Sequence, residues 1–590
     1  MHTENKRRSG AFALLTGYIY KDRPLLIKAV ILLLLATAAD VAGPLLAKVY
    51  IDDYLLESNF AALPLGALLT AYLVTQVGAA WLRYRQTLRF TDMALDAVLD
   101  IRRRVFRHVL TLPIAWFDRA ATGQLVSRIT NDTEAIKDLY VQFLSTVLTN
   151  AVLLIGILIA MAVLDLTLMM IALALVPAVL GMIYLYQRLS GQAVADTRQR
   201  RSEINNRISE SIAGMTVIQA GNQQQRFDNE FETLNETYYQ ARVRTIRVSA
   251  YLLRPAIDLL SASVLIAVIW GFGLAQVEGV AEIGVLYAFL NYLGRFTEPL
   301  AEITQRFNLY QQAMVAGARV ESLLQESSSD SSGTVAEIRE GGISLDHLTF
   351  AYHPNKPVLQ DICQEIPAGS FIGIVGHTGS GKSTLINLLL DFYRPGAGTV
   401  RIDGKNLADY TSDAMRRGIA LIPQEPFILA GTIRDNIDLG RGLSDEVIRQ
   451  SVDDAALTPA LERLPDGLDT WLGERGTRLS TGQRQQLVIA RALAGKPRIL
   501  LLDEATANVD SETETVVQRA LERLRGQITL IVVAHRLSTI RRADRILVLH
   551  HGKLAEQGNH QQLMAQEDGI YRGLYNLQYQ AHQIELAEHQ

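Results

Sequence analysis

Six long apolar runs crowd into the first half of this chain, and no other feature restricts its fold so tightly. They extend from about Leu25 to Val49, Ala61 to Leu82, Val147 to Val163, Leu166 to Tyr186, Pro255 to Val277 and Ile283 to Ile303. A helix needs about 20 apolar residues to cross the hydrocarbon core. Within that core a helix satisfies every backbone N–H and C=O along one segment. Buried helices of a soluble core do not require six such runs, so the expectation is a transmembrane domain of six helices embedded in a lipid bilayer. Only a tight turn at Asp165 separates the third run from the fourth.

Loop charge orients the helices, because Lys and Arg accumulate on the cytoplasmic side. The segments after the first, third and fifth runs hold Asp52, Asp53, Glu57, Asp165, Glu278 and Glu282, and Lys48 is the nearest cation. Those after the second and fourth hold Arg83, Arg85, Arg89, Arg102, Arg103, Arg104, Arg107, Arg188, Arg198, Arg200 and Arg201. Both basic segments, and with them both termini, are therefore expected in the cytoplasm. The opening MHTENKRRSG leads into no short apolar run with a cleavage site, so no leader is expected.

Each basic segment is far longer than the usual connection of about 4–6 residues. The run MALDAVLDIRRRVFRHVLTL has apolar positions at three- and four-residue intervals, the signature of an amphipathic helix. The membrane helices are thus expected to continue into the cytoplasm and reverse at two elbows, LPIAWFDRAATGQ and SIAGMTVIQAGNQ.

Beyond the last run, QESSSDSSGTVAEIREGG is polar and lacks apolar periodicity, as a linker does. The chain is thus expected to divide into a transmembrane domain (1–324), a linker (325–342) and a second domain (343–590). In that domain short strand-like runs, FIGIVG, GIALIP, RILLLD and TLIVVA, alternate with helical stretches, which predicts an α/β fold on a largely parallel sheet. A net charge of −4 and a pI near 6.3 leave no basic footprint, and nucleic acid is not an expected partner. Cys363 is the only cysteine. It excludes an intrachain disulfide and reads as a buried, inert thiol.

GHTGSGKST, Gly376 to Thr384, fits the phosphate-loop pattern between a strand and a helix. The glycines Gly376, Gly379 and Gly381 let backbone N–H groups approach phosphates, and Thr378, Ser380 and Thr384 complete the cradle. Lys382 is placed for the β- and γ-phosphates and Ser383 for Mg²⁺. RILLLDEATANVD supplies the complement: a buried strand ends in Asp503, suited to hold Mg²⁺, and Glu504 follows, suited to orient or deprotonate the attacking water.

With these motifs the chain resembles the ATP-binding-cassette (ABC) exporter half-transporters over nearly its whole length. The resemblance implies six membrane helices followed by a P-loop nucleotide-binding domain with a helical subdomain, and ATP hydrolysis coupled to transport. It assigns Tyr352 to adenine stacking, Gln424 to the catalytic and Mg²⁺-contacting glutamine, His535 to a switch histidine at the γ-phosphate, and Asp510 to a residue reaching across a dimer. LSTGQ, Leu479 to Gln483, matches a signature usually written LSGGQ. In the family it binds the γ-phosphate of nucleotide held by the opposite domain, through Ser480, Gly482 and Gln483 here, so a chain with one cassette must dimerise.

Thr481 departs from the pattern, with a β-branched side chain where glycine would tolerate backbone angles that threonine resists. One reading is a tolerant homodimer; the other is a pair of unlike chains with one weak site. Runs such as TNDTEAIKDLYV and IGVLYAFLNYLGRFTEPL are similar to the MdlB-type multidrug-resistance-like half-transporters of bacteria. These pair with an MdlA-type subunit in the inner membrane. That resemblance implies a heterodimer exporting hydrophobic or amphipathic compounds by alternating access. Rival readings keep the membrane placement: a lipid or glycolipid flippase, and a non-transporting ATP-gated channel or regulator.

Polar residues inside a span mark a cavity or an internal pair. Asn291, Arg295 and Glu298 fall along one face of the sixth run, where they would either meet a small hydrophobic substrate or leave Arg295 and Glu298 to pair with each other. Asp40 is a second candidate, and Arg254 with Asp258 a further local pair.

Overall fold

The helix Ala62–Val109 has 48 residues and is about 70 Å long, roughly twice the thickness of the hydrocarbon core. Much of its arginine-rich second half must therefore stand outside the membrane. The helix belongs to the first of two units in the computed structural model, 1–110 with 121–326; the second comprises 111–120 with 327–590. The structure describes residues 17, 23–56, 61–120, 122–252, 254–277, 282–327, 333–503, 518, 519, 521–534 and 536–588.

Among the described residues of the first unit, four helices are long and apolar enough to cross a membrane: Arg23–Leu55, Ala62–Val109, Gly123–Leu164 and Leu166–Ala213. The fifth expected run lies in the helix Arg254–Val277, with a shorter apolar stretch at Asp258–Gly273. The sixth lies in Ile283–Leu324, where Asn291, Arg295 and Glu298 dilute its apolar character. Asp165 ends one helix and starts the next by accepting the N–H of Leu168 at 2.9 Å, a side-chain cap that makes so tight a reversal possible. Ile157, Met161, Leu168, Ala172, Phe289, Tyr292 and Phe296 form the buried centre of the unit. Farther along, buried Asp132 receives a two-pronged bond from Arg319 (2.6 and 2.9 Å).

Short helices occupy both expected elbows: Ile114–Phe117 follows Pro113, and Met215–Ala220 is bracketed by Gly214 and Gly221. The first elbow groups with the second unit. There Tyr393 donates its hydroxyl proton to Asp118. Burial, and then this bond, push the Tyr393 hydroxyl up to about 12.

The second unit has two sheets. Strands β1 (Ile343–Phe350), β2 (Leu359–Ile366), β4 (Ala397–Ile402) and β5 (Lys405–Asn406) form an antiparallel sheet in the order β2-β1-β4-β5. The other is built from β3 (Phe371–Val375), β6 (Ile419–Ile422), β7 (Ile499–Asp503), β8 (Thr529–Val533), β9 (Arg545–His550) and β10 (Lys553–Gly558). Its order is β10-β9-β3-β8-β7-β6, parallel except at the β10 edge. Between β6 and β7 the chain makes a helical excursion: Ile433–Asp438, Asp445–Asp454, Thr458–Leu461 and Thr481–Ala494.

Two features differ from the sequence expectation. The end of the stretch read as linker is structured: Ile338 is buried in the core with Ile343 and Met415, and Asp403 accepts the backbone N–H groups of Arg339, Glu340, Gly341 and Gly342. Cys363 is exposed on β2, not buried. A register slip after Leu359, where β2 carries one residue more than β1, moves it to the outer face.

Candidate functional site

In a parallel sheet ligands gather beyond the carboxyl ends of the strands, and the chemistry-bearing motifs converge there. Fully buried β3 runs into the phosphate loop, β7 ends in Asp503, and Gln424 follows β6 by two residues. Close approach dictates the glycines of the loop. At Gly376 (φ 154°) a Cβ would come within 2.2 Å of the Leu549 carbonyl oxygen, and at Gly381 (φ 101°) within 2.6 Å of the Leu359 side chain. Gly379 also has a positive φ, 81°. Gly381 then caps the helix Lys382–Leu389, whose N-terminal N–H groups and dipole favour an anion.

Lys382 is buried with its Nζ bonded to the carbonyl oxygens of Gly376 (2.9 Å) and His377 (3.2 Å). These bonds fold the cation back over its own loop. Ser383 Oγ donates to Asp503 Oδ1 at 3.2 Å, bringing a hydroxyl and a carboxylate from distant segments together. This hard-oxygen pair fits Mg²⁺. Ser380 is buried, and its Oγ has no partner among the described residues.

Tyr352 donates its hydroxyl to Thr384 Oγ1 at 3.2 Å, and its ring meets Phe350 (4.9 Å) and Tyr393 (5.0 Å) edge to face. Sequence reasoning missed Tyr393. The only available signal was an aromatic in DFYRPG, shortly after the phosphate-loop helix. It also missed His377, whose ring lies near His550 and, through it, His551.

The signature lies where the motif requires, at the start of the helix Thr481–Ala494. Ser480 accepts the N–H of Gln483 (3.2 Å), while Gln483 accepts the N–H of Ser480 (2.9 Å). This reciprocal cap satisfies two orphan donors of the first turn. Thr481 occupies the first helical position and is absent from the residues of positive φ. The expected backbone strain is therefore not found, because the cap gives position 481 ordinary helical geometry. What distinguishes Thr481 is its exposed side chain, whose Oγ1 accepts a bond from Arg484 at 3.1 Å. Among the described residues no hydrogen bond joins the signature to the phosphate loop.

Farther along this helix Arg491 donates to the carbonyls of Phe427 (2.8 Å) and Asn436 (2.8 Å) and to Asn436 Oδ1 (2.6 Å). Asn436, fully buried, in turn donates to the Leu429 carbonyl at 3.0 Å. The segment just after Gln424 is thus tied to the helix that carries the signature. Glu504, Asp510 and His535 lie outside the described residues.

In the first unit, Arg295 and Glu298 do not pair. Arg295 donates to the backbone carbonyl of Asp40 at 3.2 Å, Asn291 to that of Tyr287 at 3.0 Å, and Glu298 is exposed. Asp40 pairs with Arg83 from the second helix. The Arg254 side chain lies outside the described residues.

Residues 26–300 match the family described as the ABC transporter transmembrane region, and residues 359–507 the family described as ABC transporter. A "Multidrug resistance-like ATP-binding protein MdlB" of Buchnera aphidicola subsp. Schizaphis graminum is 39% identical over 94% of this chain and 95% of its own length. An "ATP-dependent lipid A-core flippase" of Nitrosococcus oceani is 34% identical over 86% and 84% respectively. Among solved structures, a bacterial Atm1-family ABC exporter with ATP bound superimposes with a TM-score of 0.80 at 25% identity, over 95% of this chain and 99% of the other.

Proposed function

The chain belongs to the ABC transporter family as an ATP-hydrolysing exporter half-transporter, and on that premise we propose which residues run it and what it moves. Lys382 and the loop N–H groups of Gly376 to Thr384 hold the nucleotide phosphates, and Tyr352 stacks on adenine. Ser383, Gln424 and Asp503 would hold Mg²⁺, whose charge would offset that of the phosphates. Glu504 takes the proton of the attacking water and His535 steadies the γ-phosphate. The observation that carries this reading is the convergence of Ser383 and Asp503, 3.2 Å apart, beside the Lys382 loop.

Ser480, Gly482, Gln483 and Asp510 serve nucleotide held by a second half-transporter, for which an unlike, MdlA-type chain is the partner. Closure of the paired nucleotide domains, relayed through the two elbows, opens the membrane cavity outward, and hydrolysis resets it. The cargo is hydrophobic or amphipathic, of multidrug type, and passes the bacterial inner membrane with both termini cytoplasmic. Asn291, Arg295 and Glu298 offer polar contacts along its route.

Glu504→Gln tests the core of this proposal. Removing a general base should lower turnover by about 10²- to 10⁴-fold while ATP still binds. Substantial ATPase activity in the purified variant complex would refute the role of Glu504. A second reading, lipid or glycolipid transfer, is supported by the flippase relative at 34% identity. In liposomes, drug-stimulated ATPase activity supports the first reading and lipid-stimulated activity the second.

A further inference from the structure

The two bulges that disturb the β1–β2 ladder also assemble a set of side chains unrelated to the nucleotide site. Leu345 pairs with Gln364, Leu348 with Ile362 and Phe350 with Leu359, and the register slips in both intervals. Leu348 and Ile362 remain inside. His347, Asp361 and Cys363 are left together on the outer face, all exposed. One ring nitrogen of His347, a carboxylate oxygen of Asp361 and the sulfur of Cys363 lie within 4.8 Å of one another. His347 Nδ1 and Asp361 Oδ1 are 2.6 Å apart, and the His347 backbone N–H donates to Cys363 Sγ at 3.3 Å.

We propose that His347, Asp361 and Cys363 form a Zn²⁺-class metal site on the outer face of this sheet. Donors around a tetrahedral Zn²⁺ with bonds of 2.0–2.3 Å stand about 3.5 Å apart, so small side-chain adjustments bring all three into range. Imidazole, carboxylate and thiolate form a mixed nitrogen, oxygen and sulfur set. It suits Zn²⁺, whereas Mg²⁺ and Ca²⁺ take oxygen ligands. The thiolate and carboxylate together neutralise a divalent ion, and exposure leaves a fourth position for water. The ion would bridge β1 to β2 two residues beyond Leu359, the side chain against which Gly381 of the phosphate loop is packed.

Cys363 is the only thiol in the chain, so its alkylation reports on the site. In the purified full-length complex, maleimide labelling of the Cys363 peptide is measured by mass spectrometry with Zn²⁺, with Mg²⁺ and with Zn²⁺ plus chelator. A bound thiolate is unavailable as a nucleophile, so labelling should be lost in Zn²⁺, return with chelator and be unaffected by Mg²⁺. His347→Asn and Asp361→Asn should each abolish the protection. Asn tolerates the left-handed backbone at both positions (φ 48° and 53°). Co²⁺ should give a thiolate charge-transfer band that Cys363→Ser lacks. Labelling indifferent to Zn²⁺, or protection that survives in either Asn variant, overturns the proposal.

Discussion

Gly376 and Gly381 are fixed by close approach, since a Cβ at either would strike Leu549 or Leu359. Gly376, Gly381 and Lys382 occupy one loop, so their geometry is implied by the motif itself. Tyr393 meets Tyr352 across 41 positions of chain, and Arg491 meets Asn436 across 55, with no periodicity to announce either contact. Thr481 falls between these cases. Its position was legible, yet the backbone argument attached to it fails because Ser480 and Gln483 cap the helix in ordinary geometry. A remaining penalty must come from the exposed side chain at the face where nucleotide would dock. Thr481→Gly removes that bulk and leaves the cap in place. Recovering about 1 kcal/mol of nucleotide binding would tighten ATP affinity at the site it serves about fivefold, measured by nucleotide titration of the assembled pair. No change would show that the side chain is tolerated.

Elements were legible where one period persisted and obscure where a bulge interrupted it. The parallel strands are near-continuous apolar runs, and β3 and β8 are buried at every position. In β2, strict alternation from Leu359 would turn Cys363 inward; the extra residue before Ile362 inverts the facing of all that follows. The linker end was obscure for a different reason. Val335, Ala336 and Ile338 are a few apolar residues without a period in polar sequence, and the segment is held chiefly through backbone groups. Asp403 accepts four N–H bonds there, at 2.8–3.1 Å. Asp403→Ala leaves those donors to water or to no partner, and bonds to a charged acceptor contribute about 2 kcal/mol. The variant should melt several degrees lower by differential scanning fluorimetry in detergent, and Asp403→Asn, which keeps an acceptor, should lose less. Equal melting of parent and Ala variant would show that the segment does not depend on Asp403.

At the scale of the whole molecule, the decisive question is how many competent ATP sites the assembled exporter contains. On the proposed assignment, Lys382, Ser383, Asp503 and Glu504 make a full set for one site, and the signature altered at Thr481 serves the other. If the partner is unlike, it is expected to carry the glycine-containing signature and a substitution at the position corresponding to Glu504. The two sites then differ in kind: one joins Glu504 to the partner's intact signature, the other joins Thr481 to a loop lacking the base. Glu504→Gln in this chain alone should therefore abolish turnover of the pair and leave about one trapped nucleotide per pair, since removing the only general base costs about 10²-fold or more. Altering the partner at its corresponding position should change the rate little. A homodimer behaves otherwise: every pair made wholly of the variant loses two bases and traps nucleotide at both sites. Expressing this chain with and without its partner, purifying by a tag on one chain, and counting nucleotide per complex separates the cases. A stable, fully active complex from this chain alone would end the asymmetric account, because Thr481 would then sit in both sites of a working enzyme.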